Sequence, residues 1–192
     1  MTRTVDIYFD YVCPYTYIAS KREPLLKAEL DVDFNWRGWE IHPERPTPPL
    51  IRRSLTPSYI TASLGREIKV DFALPKQKSN SRNSLIGAEI ARKMGKFKQY
   101  HESIWRVHWE KKKDIADFNI LKGVASNVGM DPGIFERELA NPEFEGILKE
   151  NDREAERIGV DKVPSYVLGN KIVVGNIFMR DLKRELARFL QS

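Results

Sequence analysis

The chain has 192 residues, 41% of them hydrophobic and 31% charged. That is enough apolar content for a packed core and too much for a disordered tail or a coiled coil, so one or two compact domains are expected. No apolar run approaches the roughly eighteen residues that cross a bilayer, and residues 1–10 alternate polar and apolar side chains, unlike a secretion signal; a cytoplasmic protein without a membrane partner is expected.

The net charge of +5 is unevenly placed. Residues 51–113 carry fifteen Lys/Arg against five Asp/Glu, and the remainder carries seventeen against twenty-two. Such a surplus attracts anions, from nucleic acid to a small carboxylate, but the cations alternate with apolar residues as on a solvated amphipathic helix. Cys13 is the single cysteine. That excludes an internal disulfide framework, a four-cysteine zinc site and a self-contained dithiol couple. With three histidines, His42, His101 and His108, and no short ligand spacing, no metal site is expected.

In chain order, TVDIYFD (4–10) alternates Val5, Ile7 and Phe9 with Asp6 and Tyr8 and reads as a first strand. CPYTYIASKREPLLKAEL (13–30) follows as a helix, with Pro14 where a first turn tolerates proline and Pro24 expected to kink it. Residues 32–39 alternate again, completing a βαβ unit with a parallel pair. Residues 42–57 hold five prolines and read as an extended boundary loop. From 59 to 159 the pattern is helical. Asn83 or Ser84 is a candidate cap for a helix running to Met94, Phe97 to His108 recur at helical spacing, and Asp117, Asp131 and Gly159 punctuate the rest. SYVL and KIVV, joined by Gly169 and Asn170, form a hairpin, and residues 180–190 a terminal helix. Neither outer piece has enough strands to stand alone, so both must share one sheet. The expected division is 1–45 and 152–192 for the α/β domain, with an inserted helical domain at 46–151.

Cys13 stands between the first strand and the first helix, where free N–H groups and the helix dipole favour an anion; its pKa is expected to fall below the free value of about 8.5. The bland alternative is an inert buried thiol. Thr16, one turn on, occupies the place of a resolving thiol in a Cys-x-x-Cys motif, and its hydroxyl can donate to the thiolate but cannot form a disulfide. Val163-Pro164 opens the hairpin; a cis bond there would turn the Val163 backbone outward to pair with an extended ligand. His101 and His108, interleaved with Trp105 and Trp109, read as helix core rather than ligands. Lys111 to Lys113 read as a solvated helix end, and no nucleic-acid motif accompanies them.

FDYVCPYTY (9–17), WEIHPE (39–44), NSLIGAEIAR (83–92), DIADFNIL (114–121) and GVDKVPSYVLGNKIVVG (159–175) occur in an order and spacing that resembles the DsbA family in the broad sense. That family includes cytoplasmic DsbA-like oxidoreductases, 2-hydroxychromene-2-carboxylate isomerases and kappa-class glutathione transferases. The resemblance covers nearly the whole chain. It implies a thioredoxin fold interrupted by a helical domain, with Cys13 at the nucleophile position and Val163-Pro164 as the cis-proline element beside it. It further implies that Pro14, Tyr15, Asn83 and Asn176 face the substrate cleft. The isomerase and transferase branches usually carry serine where Cys13 stands, and the oxidoreductases usually carry a second cysteine where Thr16 stands, so the chain departs from both patterns.

The first expectation is therefore a thiol-disulfide oxidoreductase with one active cysteine, acting through a mixed disulfide on a disulfide-bearing substrate. Glutathione or another low-molecular-weight thiol would serve as cosubstrate, with no tightly bound cofactor. Two alternatives stand beside it: a glutathione-dependent isomerase or transferase, and a binding protein that kept the fold without the chemistry. A homodimer is compatible with each.

Overall fold

The computed structural model describes residues 2–41, 59–69 and 79–192. His42 and the proline-rich loop at 42–57 lie outside the described residues, as does part of the basic stretch. Strand β1 (Arg3–Phe9) begins exposed and becomes buried on both faces by Tyr8, as befits the middle of a sheet covered by helices. Helix α1 (Pro14–Glu29) follows, with Pro14 in its first turn, and it continues unbroken through Pro24. Strand β2 (Val32–Gly38) pairs parallel with β1. On the other side of β1 lies β3 (Ser165–Leu168), antiparallel, and beyond it β4 (Lys171–Val174), also antiparallel. Gly169 turns the hairpin at φ 63°, a left-handed conformation that glycine adopts without a Cβ penalty. The order β2–β1–β3–β4 in this topology is the expected thioredoxin fold, an α/β architecture.

Between β2 and β3 come helices α2 (Tyr59–Glu67), α3 (Arg82–Lys93), α4 (Phe97–Trp105), α5 (Phe118–Asn127), α6 (Pro132–Leu139) and α7 (Pro142–Ile158); α8 (Met179–Gln191) closes the chain. Among the described residues this stretch holds no strand. Asp117 caps α5 through the Asn119 N–H at 2.8 Å, and Asp131 caps α6 through that of Ile134 at 2.8 Å. Gly159 ends α7 at φ 85°. Asn83 and Ser84 do not cap α3. The helix starts earlier, after Ser81, and the Arg82 N–H is taken by the Asn80 side chain at 2.9 Å. The division expected after residue 151 falls inside α7, so the helical layer passes into the sheet layer along one continuous helix.

One buried contact joins three parts of the fold. Arg22 of α1 is fully buried, pairs with Glu67 of α2 at 2.9 Å and donates to the Ile177 carbonyl at 2.8 Å. The same Glu67 carboxylate accepts the Met179 N–H at 2.9 Å and so caps α8, whose N-terminus has no side-chain cap of its own.

Candidate functional site

The topology decides which distant residues meet. Because β3 runs antiparallel to β1, its first residue, Ser165, lies opposite Tyr8 near the end of β1. The chain leaving β1 reaches Cys13 four residues after Phe9, and the chain entering β3 arrives through Val163 and Pro164. These two segments, 150 residues apart in sequence, therefore touch: the Cys13 thiol donates to the Val163 carbonyl at 3.4 Å. The Val163–Pro164 peptide bond is cis. Tyr8, Cys13, Ala155, Val160 and Val163 form one apolar cluster, with Tyr15, Trp39 and Ile41 packed at its margin.

Cys13 is the N-cap residue of α1 and is 5% exposed. Its pKa moves opposite to the expected fall. Burial pushes the thiol up, and the Asp10 charge adds to that; the Thr16 hydroxyl and the N–H groups of Thr16 and Tyr15 pull it down without reversing the outcome. The helix terminus is present as expected, but desolvation of the charged form outweighs it, so the unliganded site holds a protonated thiol at neutral pH. Thr16 is fully buried beside the sulfur, its hydroxyl otherwise without a partner. Pro14 and Tyr15 are half-buried between them.

Asn83 and Asn176 are separated from this group in character. Asn83 sits exposed in the first turn of α3, and Asn176 is exposed in the loop after β4. The residue before it, Gly175, donates its N–H to the Pro164 carbonyl at 2.7 Å, and a Cβ there would lie 2.6 Å from the proline ring. Glycine is required at 175 for that close approach.

Several residues that local pattern did not single out complete the site. Asp10, fully buried, accepts the Val12 N–H at 3.1 Å and the Ile41 N–H at 2.9 Å, tying the loop before Cys13 to the extension of β2. An acidic residue three positions before a helix cap is a signal for such a turn. From the helical layer, the Trp109 indole donates to the Tyr11 carbonyl at 2.9 Å, a pairing across 98 residues that no local spacing announces. Glu40, also buried, has its carboxyl pushed up by burial even though Arg82 pairs with it at 3.0 Å.

His101 and His108 lie in the core. Burial lowers His101 to about 3 and His108 to about 4, so both are neutral. His101 Nδ1 is 2.9 Å from the Tyr11 hydroxyl, among the rings of Phe9, Trp36, Phe97 and Trp105. Among the described residues no group of His, Cys, Asp and Glu is placed to hold a metal, and no helix is long and apolar enough to cross a membrane. Within residues 51–113, Arg82 pairs with Glu40 and Glu145, Arg92 with Glu89 and Lys93 with Glu143.

With this geometry in view, the sequence profile of the DSBA-like thioredoxin domain matches residues 4–187. A 2-hydroxychromene-2-carboxylate isomerase of Sphingobium xenophagum is 24% identical over 188 residues, spanning 92% of this chain and 94% of its own. Among solved structures, a probable DsbA oxidoreductase from Streptomyces coelicolor superposes with a TM-score of 0.83 at 19% identity, covering 98% of this chain and 90% of the other. The cytosolic disulfide reductase DsbM from Pseudomonas aeruginosa, solved with GSH, superposes with a TM-score of 0.72 at 16% identity, covering 98% and 100%.

Proposed function

The chain belongs to the DSBA-like thioredoxin domain family, and from that premise we propose that it is a thiol-disulfide oxidoreductase working through one cysteine. The observation that carries this reading is the Cys13 sulfur at the head of α1, 3.4 Å from the Val163 carbonyl. In the forward step Cys13 loses its proton to solvent and its sulfur attacks one sulfur of a bound disulfide. The substrate S–S bond breaks, a Cys13 mixed disulfide forms, and the departing thiolate takes up a proton. Thr16 cannot resolve that adduct, so a low-molecular-weight thiol such as glutathione attacks it and releases Cys13. Docking a charged or polar ligand group brings polarity into the desolvated site, and the Thr16 hydroxyl with the α1 N–H groups is in place to favour the thiolate. A cytoplasmic setting belongs to the same proposal, supported by the single cysteine and by the likeness to the cytosolic reductase.

Incubation with oxidised glutathione is expected to add one glutathionyl group at Cys13, seen by intact mass, and reduced glutathione to remove it. A chain that remains unmodified while Cys13 still alkylates under denaturation would sink the proposal.

A second reading has its own observation. The protonated Cys13 thiol donates a hydrogen bond, as a serine hydroxyl would, and can offer it to the sulfur of a bound glutathione that acts on a carboxylate substrate without net redox change. Cys13→Ser separates the two: it abolishes mixed-disulfide formation under the first reading and preserves glutathione-dependent turnover of a 2-hydroxychromene-2-carboxylate under the second.

A further inference from the structure

We propose that Trp109, delivered by a π-helical segment of the inserted layer, is a positioning residue for Cys13: it orients the second peptide unit before that residue. After Trp105, α4 widens into five residues of π-helix, Arg106–Glu110, in which the Lys111 N–H reaches back to the Arg106 carbonyl at 2.9 Å. Such a bulge rotates the residues after it out of helical register and often occurs at functional sites. Here it turns the 3%-exposed Trp109 toward the active loop.

The Tyr11–Val12 peptide is then gripped at both ends. Its carbonyl accepts the Trp109 indole N–H at 2.9 Å, and its N–H donates to the Asp10 carboxylate at 3.1 Å. The next N–H in the chain, that of Cys13, closes the turn on the Asp10 carbonyl at 3.1 Å. The same π segment holds the other side of Cys13: the Trp109 ring stacks on Tyr17 at 5.3 Å, and Glu110 accepts from Lys21 at 2.9 Å. Both flanks of the nucleophile are thus fixed by one element of the insertion. Without the indole N–H, the Tyr11 carbonyl loses a buried donor and the peptide plane is held at its N–H end alone, by Asp10. That displaces Cys13 relative to Val163 and moves the Asp10 charge, the ionic group whose field bears on the sulfur.

The inference rests on Cys13 being the nucleophile, as proposed above, but its test reads the sulfur alone. The rate of alkylation of Cys13 by iodoacetamide is measured across pH for wild type, Trp109→Phe and Trp105→Phe. Trp105 is the matched control. It lies one turn earlier, is 2% exposed, and its indole N–H has no partner among the described residues, so its loss costs packing alone. W109F is expected to slow alkylation by about fivefold relative to W105F and to shift the pH profile, the size expected for one buried hydrogen bond. Should W109F fail to fold, replacement of Trp109 by 3-benzothienylalanine, which keeps the ring shape and removes the N–H, supplies the same comparison. A profile for W109F or its analogue that coincides with that of W105F overturns the inference. Failure of oxidised glutathione to modify the wild type would instead strike the proposed function and leave this result standing.

Discussion

Removing Glu67 should cost more than removing the arginine it faces. Arg22 is wholly buried, whereas the Glu67 side chain keeps 26% of its surface in contact with solvent. In Glu67→Ala the guanidinium stays in the interior with no counter-charge, a change worth about 3–5 kcal/mol in buried pairs. Loss of the carboxylate that takes the Met179 N–H adds about 1 kcal/mol, the value of a helix cap. In Arg22→Met the apolar stem is retained, and the partly solvated Glu67 goes on capping α8, so the cost should fall to about 1–3 kcal/mol, that of leaving the Ile177 carbonyl without its donor. For a chain of this length the combined loss of about 4–6 kcal/mol should lower the melting temperature of E67A by roughly 8–24 °C. Urea titrations followed by circular dichroism give both free energies, provided the m-values agree. An R22M loss equal to or larger than that of E67A would refute the reasoning, because it would mean that the burden lies in the arginine's packing and not in its unpaired charge.

Gly175→Ala should destabilise by about 1–3 kcal/mol, because the new methyl would lie 2.6 Å from the Pro164 ring; the urea midpoint checks it, and an unchanged midpoint would show that the loop yields freely. The two core histidines should make the fold acid-sensitive. Both are held below the unfolded value, at about 3 and about 4, so below about pH 6.5 the unfolded chain binds protons that the folded chain refuses. Stability is therefore fully present above about pH 6.5 and falls as the pH drops toward 4, with an excess of about two protons taken up on unfolding near pH 5 from these groups alone. His108→Phe should remove about one of them, measured from the pH dependence of the urea midpoint; an unaltered slope would contradict the assignment of a neutral buried imidazole.

Local signals in the sequence hold where the interaction itself is local. Pro14 in a first helical turn, Asp117 and Asp131 as caps, Gly159 as a stop and Gly169 in the hairpin each act within about four residues, and each sits where the pattern places it. Asn83 shows how such a signal misplaces a boundary: the helix begins just after Ser81, two residues before Asn83, and the Asn80 side chain accepts the Arg82 N–H. The family motifs pointed to Cys13 and Val163-Pro164 together, but periodicity alone had no means of pairing residues 150 apart.

By itself the sequence determined the helix and strand periods and the lone thiol at a helix start, with threonine rather than a second cysteine one turn on, because these depend on neighbours along the chain. Tertiary structure decided the sign of the Cys13 shift, the neutrality of His101 and the reach of Trp109 to Tyr11. Each of these depends on how much water is removed around an atom and on what arrives from a distant segment. Desolvation and contact across the fold exist only once the sheet and the inserted helices have closed on each other.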